Sequence, residues 1–186
     1  DMHRRARVII GMTATDQPQI VLAGANEQPR VRISMDGDSA MLQFADRAGL
    51  NRAFLGVGRT GNAGVWLHGV DGREYASFTA GTNFFSSLSF VGRNGKERAQ
   101  LGMNAERVLL LLTGGSTNSS AAFSIAPEGY PSLVLSDRDR GSRASLMLNA
   151  DGTPLIQMAD KKGQMSAVST AKVLLGKDQT VIWQAP

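Results

Sequence analysis

Few side chains in this 186-residue sequence could carry chemistry, and each of them is short of partners. Two histidines are present, His3 and His68, so a nucleophilic triad would need His68 as its base. His68 follows an apolar residue at an outward strand position, where histidine ordinarily packs or is solvated. No Gly-x-Ser-x-Gly elbow occurs, and Ser86-Ser87, Ser116 and Ser119-Ser120 lie in polar, turn-like stretches. Asp36-Gly37-Asp38 and Asp137-Arg138-Asp139 invite a calcium reading, but neither supplies the ligands of an EF-hand loop, and an interposed arginine disfavours a cation. Gly56-Val57-Gly58-Arg59-Thr60-Gly61 spells a dinucleotide fingerprint without the strand–turn–helix context that gives it meaning, so it reads as a turn. Carboxylates meeting across strands could hydrolyse glycosides, an alternative the sequence leaves open because it does not align them. There is no cysteine, which removes disulfides, thiolate zinc sites and cysteine nucleophiles. No catalytic residue, cofactor or metal is expected.

Charge narrows the partners. The formal net charge is +4, and arginines, which bind planar anions well, dominate the 20 cationic residues. They are spread at regular spacing beside acidic neighbours rather than gathered in a patch, so nucleic acid is not the expected partner. The exception is the basic segment 1–6 with its continuation to Arg7, where Arg4, Arg5 and Arg7 cluster and could meet an acidic membrane. The longest apolar run, Val108 to Leu112, is far below the roughly 18 residues that cross a bilayer. The start at Asp1-Met2 leaves open a signal or anchor removed upstream.

What positions these residues is a repeat. Leu22, Phe44, Leu67, Phe90, Leu112, Leu135 and Met158 are separated by 22, 23, 23, 22, 23 and 23 residues. Two residues before each anchor stands a large aliphatic residue: Ile20, Leu42, Val65, Leu88, Leu110, Leu133 or Ile156. Nine residues after stand Val31 and then alanine at 53, 76, 99, 121, 144 and 167; eleven after stand Ile33, Leu55, Phe78, Leu101, Phe123, Leu146 and Ser169. Columns two apart have the period of strands showing one face to a core. Turn residues such as Asp46 to Gly49, Asp71-Gly72, Asn94-Gly95 and Asp160 to Gly163 separate the strands, and the Asp-Gly and Asn-Gly pairs suggest primed hairpin turns with positive φ. The expectation is an all-β array of about seven antiparallel hairpin repeats over 7–171, preceded by the basic segment 1–6 and followed by atypical cap strands in 172–186, at Val173 to Leu175 and Thr180 to Trp183.

Such a meander can coil, wind as a solenoid, close into a barrel or sandwich, or intertwine with other copies. The apolar columns are expected to face inward, covered from within or by a partner. The outward position before each anchor carries Val21, Gln43, Trp66, Ser89, Leu111, Val134 and Gln157, less polar than a solvent face. Trp66, Leu111 and Val134 are therefore candidate partner-binding residues, joined by Trp183. Arginine recurs eight residues after the anchor at Arg30, Arg52, Arg98 and Arg143. Arg52, Arg98 and Arg143 either present a stripe for anions or pair with turn carboxylates such as Asp46 and Asp137.

In Asp46-Arg47-Ala48-Gly49-Leu50-Asn51-Arg52-Ala53-Phe54-Leu55 and Asn94-Gly95-Lys96-Glu97-Arg98-Ala99-Gln100-Leu101 the chain resembles uncharacterised bacterial proteins with repeated Asp-x-x-Gly-x-x-Arg-Ala-x-Leu units. The resemblance covers about 7–171 and implies no established activity. Because those proteins often follow a membrane or secretion segment, it implies a cell-envelope, extracytoplasmic or membrane-associated location. The expectation drawn from array and resemblance together is a non-enzymatic structural subunit or protein-binding scaffold whose partner is another protein or a further copy of itself. A trimeric viral or secretion fibre shaft, a surface adhesin and a polysaccharide-acting β-repeat enzyme are the alternatives.

Overall fold

The strands begin and end where the turn chemistry dictates. In a computed structural model, which describes residues 7–82, 84–115, 117–139, 141–170, 173–175 and 181–184, each Asp-x-x-Gly tetrapeptide closes a hairpin. The Asp46 backbone N–H donates to Leu50 O and its carbonyl accepts from the Gly49 N–H, and the same pattern recurs at Asp160 with Gly163 and Gln164. The last residue of these turns needs a left-handed conformation, which glycine adopts without a Cβ penalty: Gly49 has φ +85° and Gly163 φ +77°. At Gly69 to Gly72 and Gly92 to Gly95 only the closing glycine has positive φ; Asp71 and Asn94 do not. The two-residue primed turn expected at these sites is thus a four-residue turn, because Gly69 and Gly92 already occupy its first position. Gly58 to Gly61 forms the same turn, with the Gly61 N–H donating to Gly58 O, and no helix follows it.

The chain divides into two compact units, Asp1–Gly95 and Lys96–Pro186. The first carries β1 (Val8–Met12), β2 (Pro18–Ala23), β3 (Pro29–Asp36), β4 (Ser39–Ala45), β5 (Asn51–Val57), β6 (Ala63–His68), β7 (Glu74–Ala80) and β8 (Ser86–Val91). The second carries β9 (Glu97–Met103), β10 (Val108–Thr113), β11 (Ser120–Ile125), β12 (Pro131–Ser136), β13 (Ser142–Leu148), β14 (Pro154–Ala159), β15 (Met165–Thr170), β16 (Val173–Leu175) and β17 (Val181–Gln184). Within each unit every strand pairs antiparallel with its neighbour in sequence and, among the described residues, contacts no other strand. Each unit is therefore an open meander of one layer, all-β as the repeat implies, and neither a barrel nor a sandwich closes within it. Strands β16 and β17 lie in the segment where two further strands are expected; Arg4 and Arg5 lie outside the described residues.

The register places the repeat columns in rows across the strands. Leu22, Val31, Phe44, Ala53, Leu67, Ala76 and Phe90 form one row, and Ala99, Leu112, Ala121, Leu135, Ala144, Met158 and Ala167 its counterpart in the second unit. Beside it runs a row of large residues, Ile20, Ile33, Leu42, Leu55, Val65, Phe78 and Leu88.

These rows do not face a core. Leu55 is 49% exposed and Phe78 54%, whereas the buried residues of the strands, Val21, Gly64, Ser77, Ser87, Ser124 and Ser145, lie on the other face. The apolar columns, expected to be covered from within or by a partner, are not covered by a second layer within either unit. The small residues of the second face are overlaid by long neighbours in the same layer. A Cβ on Gly64 would lie 2.8 Å from Trp66 ring atoms, so the indole rests directly on that glycine. Hydroxyls on this face pair across strands, as Thr79 does with Ser87 at 3.0 Å and Ser124 with Ser132 at 3.0 Å.

Candidate functional site

Two features stand out, a clamped turn that recurs and an apolar face that nothing covers. The turn is built around a bulge. Phe44 pairs with Ala53 while Ala45 pairs with Asn51, which leaves Arg52 as an extra residue on its strand; Arg30 and Arg143 occupy the same place in their units. A bulge re-aims the side chain of its extra residue. Here it turns the arginines towards the next hairpin: Nε of Arg30 donates to Ala45 O at 2.8 Å and Nε of Arg52 to His68 O at 2.9 Å, while Nε of Arg98, at the same repeat position, donates to Thr113 O at 2.9 Å. Each acceptor is the residue just after the next unit's anchor. Tyr75 takes the bulge position in the one first-unit hairpin with a complete bulge and no arginine there, and its hydroxyl donates to Asp71 Oδ2.

The carboxylate at the head of the turn completes the clamp. One oxygen of Asp137 accepts the N–H groups of Asp139 and Gly141, and the other accepts Nε of Arg143 at 2.8 Å and its NH2 at 2.5 Å. Arg143 also donates to Asp160 O and to Lys161 O in the next turn. Asp46 repeats this with Ala48, Leu50 and Arg52. The Arg143 guanidinium holds the Asp137 carboxyl below the ordinary range, helped by the N–H groups of Asp139 and Gly141 against desolvation, which raises it. For Asp46 desolvation raises the pKa, but the Leu50 N–H, Arg52 and the Ala48 N–H outweigh it and the net direction is down. Asp71, bonded by the Arg73 N–H, and Asp151, bonded by Thr153, are lowered too.

A depressed acid stabilises the fold fully above its unfolded value, near 3.9 for aspartate, and that contribution is lost as pH falls through the lower folded value. The contribution of these aspartates to the thermal midpoint is therefore expected to stay level from neutrality to about pH 5 and to fall on acidification below about pH 4. An Asp46→Asn/Asp137→Asn variant should lose part of that slope, as thermal melts across the pH range will read.

Glu97 behaves in the opposite sense. Desolvation raises its pKa, and its buried Oε1 has no hydrogen-bond partner. A raised acid costs nothing below its unfolded value and its full penalty above the folded one. Glu97→Gln is expected to raise the melting midpoint at pH 7 and to leave it unchanged at pH 3.

The seven sequence-predicted partner-binding residues are divided between the two units. Arg52 and Trp66 belong to the first unit, and Arg98, Leu111, Val134, Arg143 and Trp183 to the second. Trp66 sits between Phe54 and Ser77 on the face opposite the anchors and is half-buried. Leu111 and Val134 flank Ala122 in one row and are half-buried as well. Trp183 lies on β17 in register with Leu174. Arg52, Arg98 and Arg143 spend hydrogen bonds on neighbouring hairpins, as described. His68 contacts Gly72 O through Nδ1 at 3.1 Å and the Phe54 ring at 4.9 Å. Among the described residues no group of three His, Cys, Asp or Glu side chains could hold a metal ion.

The larger feature is the face of the repeat columns, for which the sequence leaves open cover from within or by a partner. About a dozen large apolar side chains in each unit stand 37% to 76% exposed on the anchor face, from Ile10 to Phe90 and from Leu101 to Met158. Between them lies a shallow recess of about 290 Å³ walled by Leu55, Val65 and Phe78 over Ala40, Ala63 and Ala80. No charged residue occupies these rows in either unit. Taking about half the area of each side chain, the patch is on the order of 1,000 Å² per unit, above the few hundred Å² that soluble monomers usually carry. Fold and site define a hairpin-repeat meander with one bare apolar face. Comparison with protein-family models and with curated proteins finds no match.

Proposed function

We propose that this chain is a non-enzymatic structural subunit or protein-binding scaffold of a bacterial envelope or membrane-associated assembly, and that it works through its anchor face. The observation that carries the reading is the uncharged apolar face left open in both units. Leaving such a face in water forfeits about 25 cal/mol for every Å² that burial would remove, so the chain is stable and soluble when something covers it. The turn acids and the bulge arginines, which would be the natural reagents of a polar site, are engaged in holding hairpins together. The envelope location rests on the resemblance to repeat proteins that follow membrane or secretion segments.

Because the sequence holds no cysteine, single thiols report directly on cover. Leu55→Cys and Leu146→Cys should react with a soluble maleimide far more slowly than Ala48→Cys, which sits on an exposed turn, and the difference should vanish in denaturant. Equal rates in the native protein would mean a bare face and would defeat the proposal.

A further inference from the structure

We infer that the occupant of the anchor face is a second copy of this chain, packed face to face; this rests on the reading that the face is an interaction surface. Three observations favour a copy of the same chain over another partner. The first is area: on the order of 1,000 Å² per unit exceeds the about 800 Å² that each partner contributes to a standard stable interface. The second is composition, since the rows are apolar and free of charge, as the centres of homodimer interfaces are.

The third is relief. Along the anchor row large residues alternate with small ones, Phe44, Ala53, Leu67, Ala76, Phe90 in one unit and Leu112, Ala121, Leu135, Ala144, Met158 in the other. With strands about 4.8 Å apart, a knob and a pit each recur about every 9.6 Å. A face that carries knobs and pits at one spacing is complementary to itself when the second copy is offset by one strand. Two such layers then interdigitate at the roughly 10 Å separation of packed sheets. A lipid surface has no use for this alternation, and a foreign protein would have to reproduce its period. A two-fold pair in which each copy offers the same patch satisfies both sides at once.

The test is the solution mass of the full chain over a concentration series, read with the thiol protection of the anchor face. The expected mass is twice 19.8 kDa, and Phe78→Asp should bring it to one chain with the β-sheet circular dichroism retained. If that variant fails to fold, Ala53→Leu/Ala76→Leu fills two pits while keeping the face apolar. It should weaken self-association at least about tenfold, as overpacking by some 1.4 kcal/mol does. An unchanged dimer in the pit-filled protein overturns the interdigitation. A single-chain mass with the face still protected, whether by the chain's other unit, a co-purifying protein or lipid found by mass spectrometry, overturns the second copy and leaves the scaffold reading standing. A single chain with reactive face thiols overturns both.

Discussion

Replacing Gly56 with valine is expected to unfold the middle of the first unit, and even Gly56→Ala should cost about 1–3 kcal/mol. A Cβ at Gly56 would lie 2.6 Å from Ala40 O, and one at Gly64, the residue opposite, would lie 2.9 Å from Phe78 O and 2.8 Å from the Trp66 ring. Both backbone contacts are with the next strand out, so the two glycines allow β4 to β7 to approach. A carbonyl in a paired strand cannot move aside without loosening the ladder that holds it. Gly72→Ala is the control: its φ is +76° and nothing lies within 4 Å, so it meets only the backbone penalty of about 1 kcal/mol. Denaturant melts should rank Gly56→Val below Gly56→Ala below Gly72→Ala. Because each strand contacts only its sequence neighbours, amide exchange should quicken first in β4 to β7. A Gly56→Ala protein that melts like the parent would refute the close approach.

The strands, their pairing order and the turn positions were legible because each rests on local chemistry. Columns two apart mark a strand face, and Asp-x-x-Gly closes a turn wherever it stands. The bulge was less plain, although its signal is present. The hairpin is centred on Asp46 to Leu50, which sets Arg52 opposite Phe44; yet the apolar column falls one residue later, at Ala53, and this offset is the extra residue. What covers the apolar face was not legible. Leu55 and Phe78 have the periodicity of a core, but periodicity records only that a face is uniform, not that a second layer of the same chain covers it. The serines at 77, 87, 124 and 145 are among the least exposed residues, and three of them sit beside long cross-strand neighbours, Ser77 opposite Trp66, Ser124 bonded to Arg107 and Ser145 to Gln157, a neighbourhood that the sequence order hides.

The bulge arginines decide how one hairpin is fastened to the next, and Arg143 shows this most fully. Arg143→Ala is expected to lower the melting midpoint by several degrees, the largest loss in the arginine series, since it removes two bonds to Asp137 and the bonds to Asp160 O and Lys161 O together. Arg143→Lys should recover little, because an ammonium cannot span the carboxylate and two carbonyls with one planar fork. Asp137→Asn separates the two halves of the clamp: its amide oxygen still accepts the Asp139 and Gly141 N–H groups, so the turn persists while the ion pair is lost. Arg30→Ala should cost less, since its guanidinium donates a single bond, from Nε to Ala45 O. The ordering Arg143 before Arg52 before Arg30, measured by thermal melts at neutral pH, follows the bonds each side chain makes. Equal and negligible losses across the series would mean that the arginines do not fasten the hairpins and would return them to consideration as a stripe for an anionic partner.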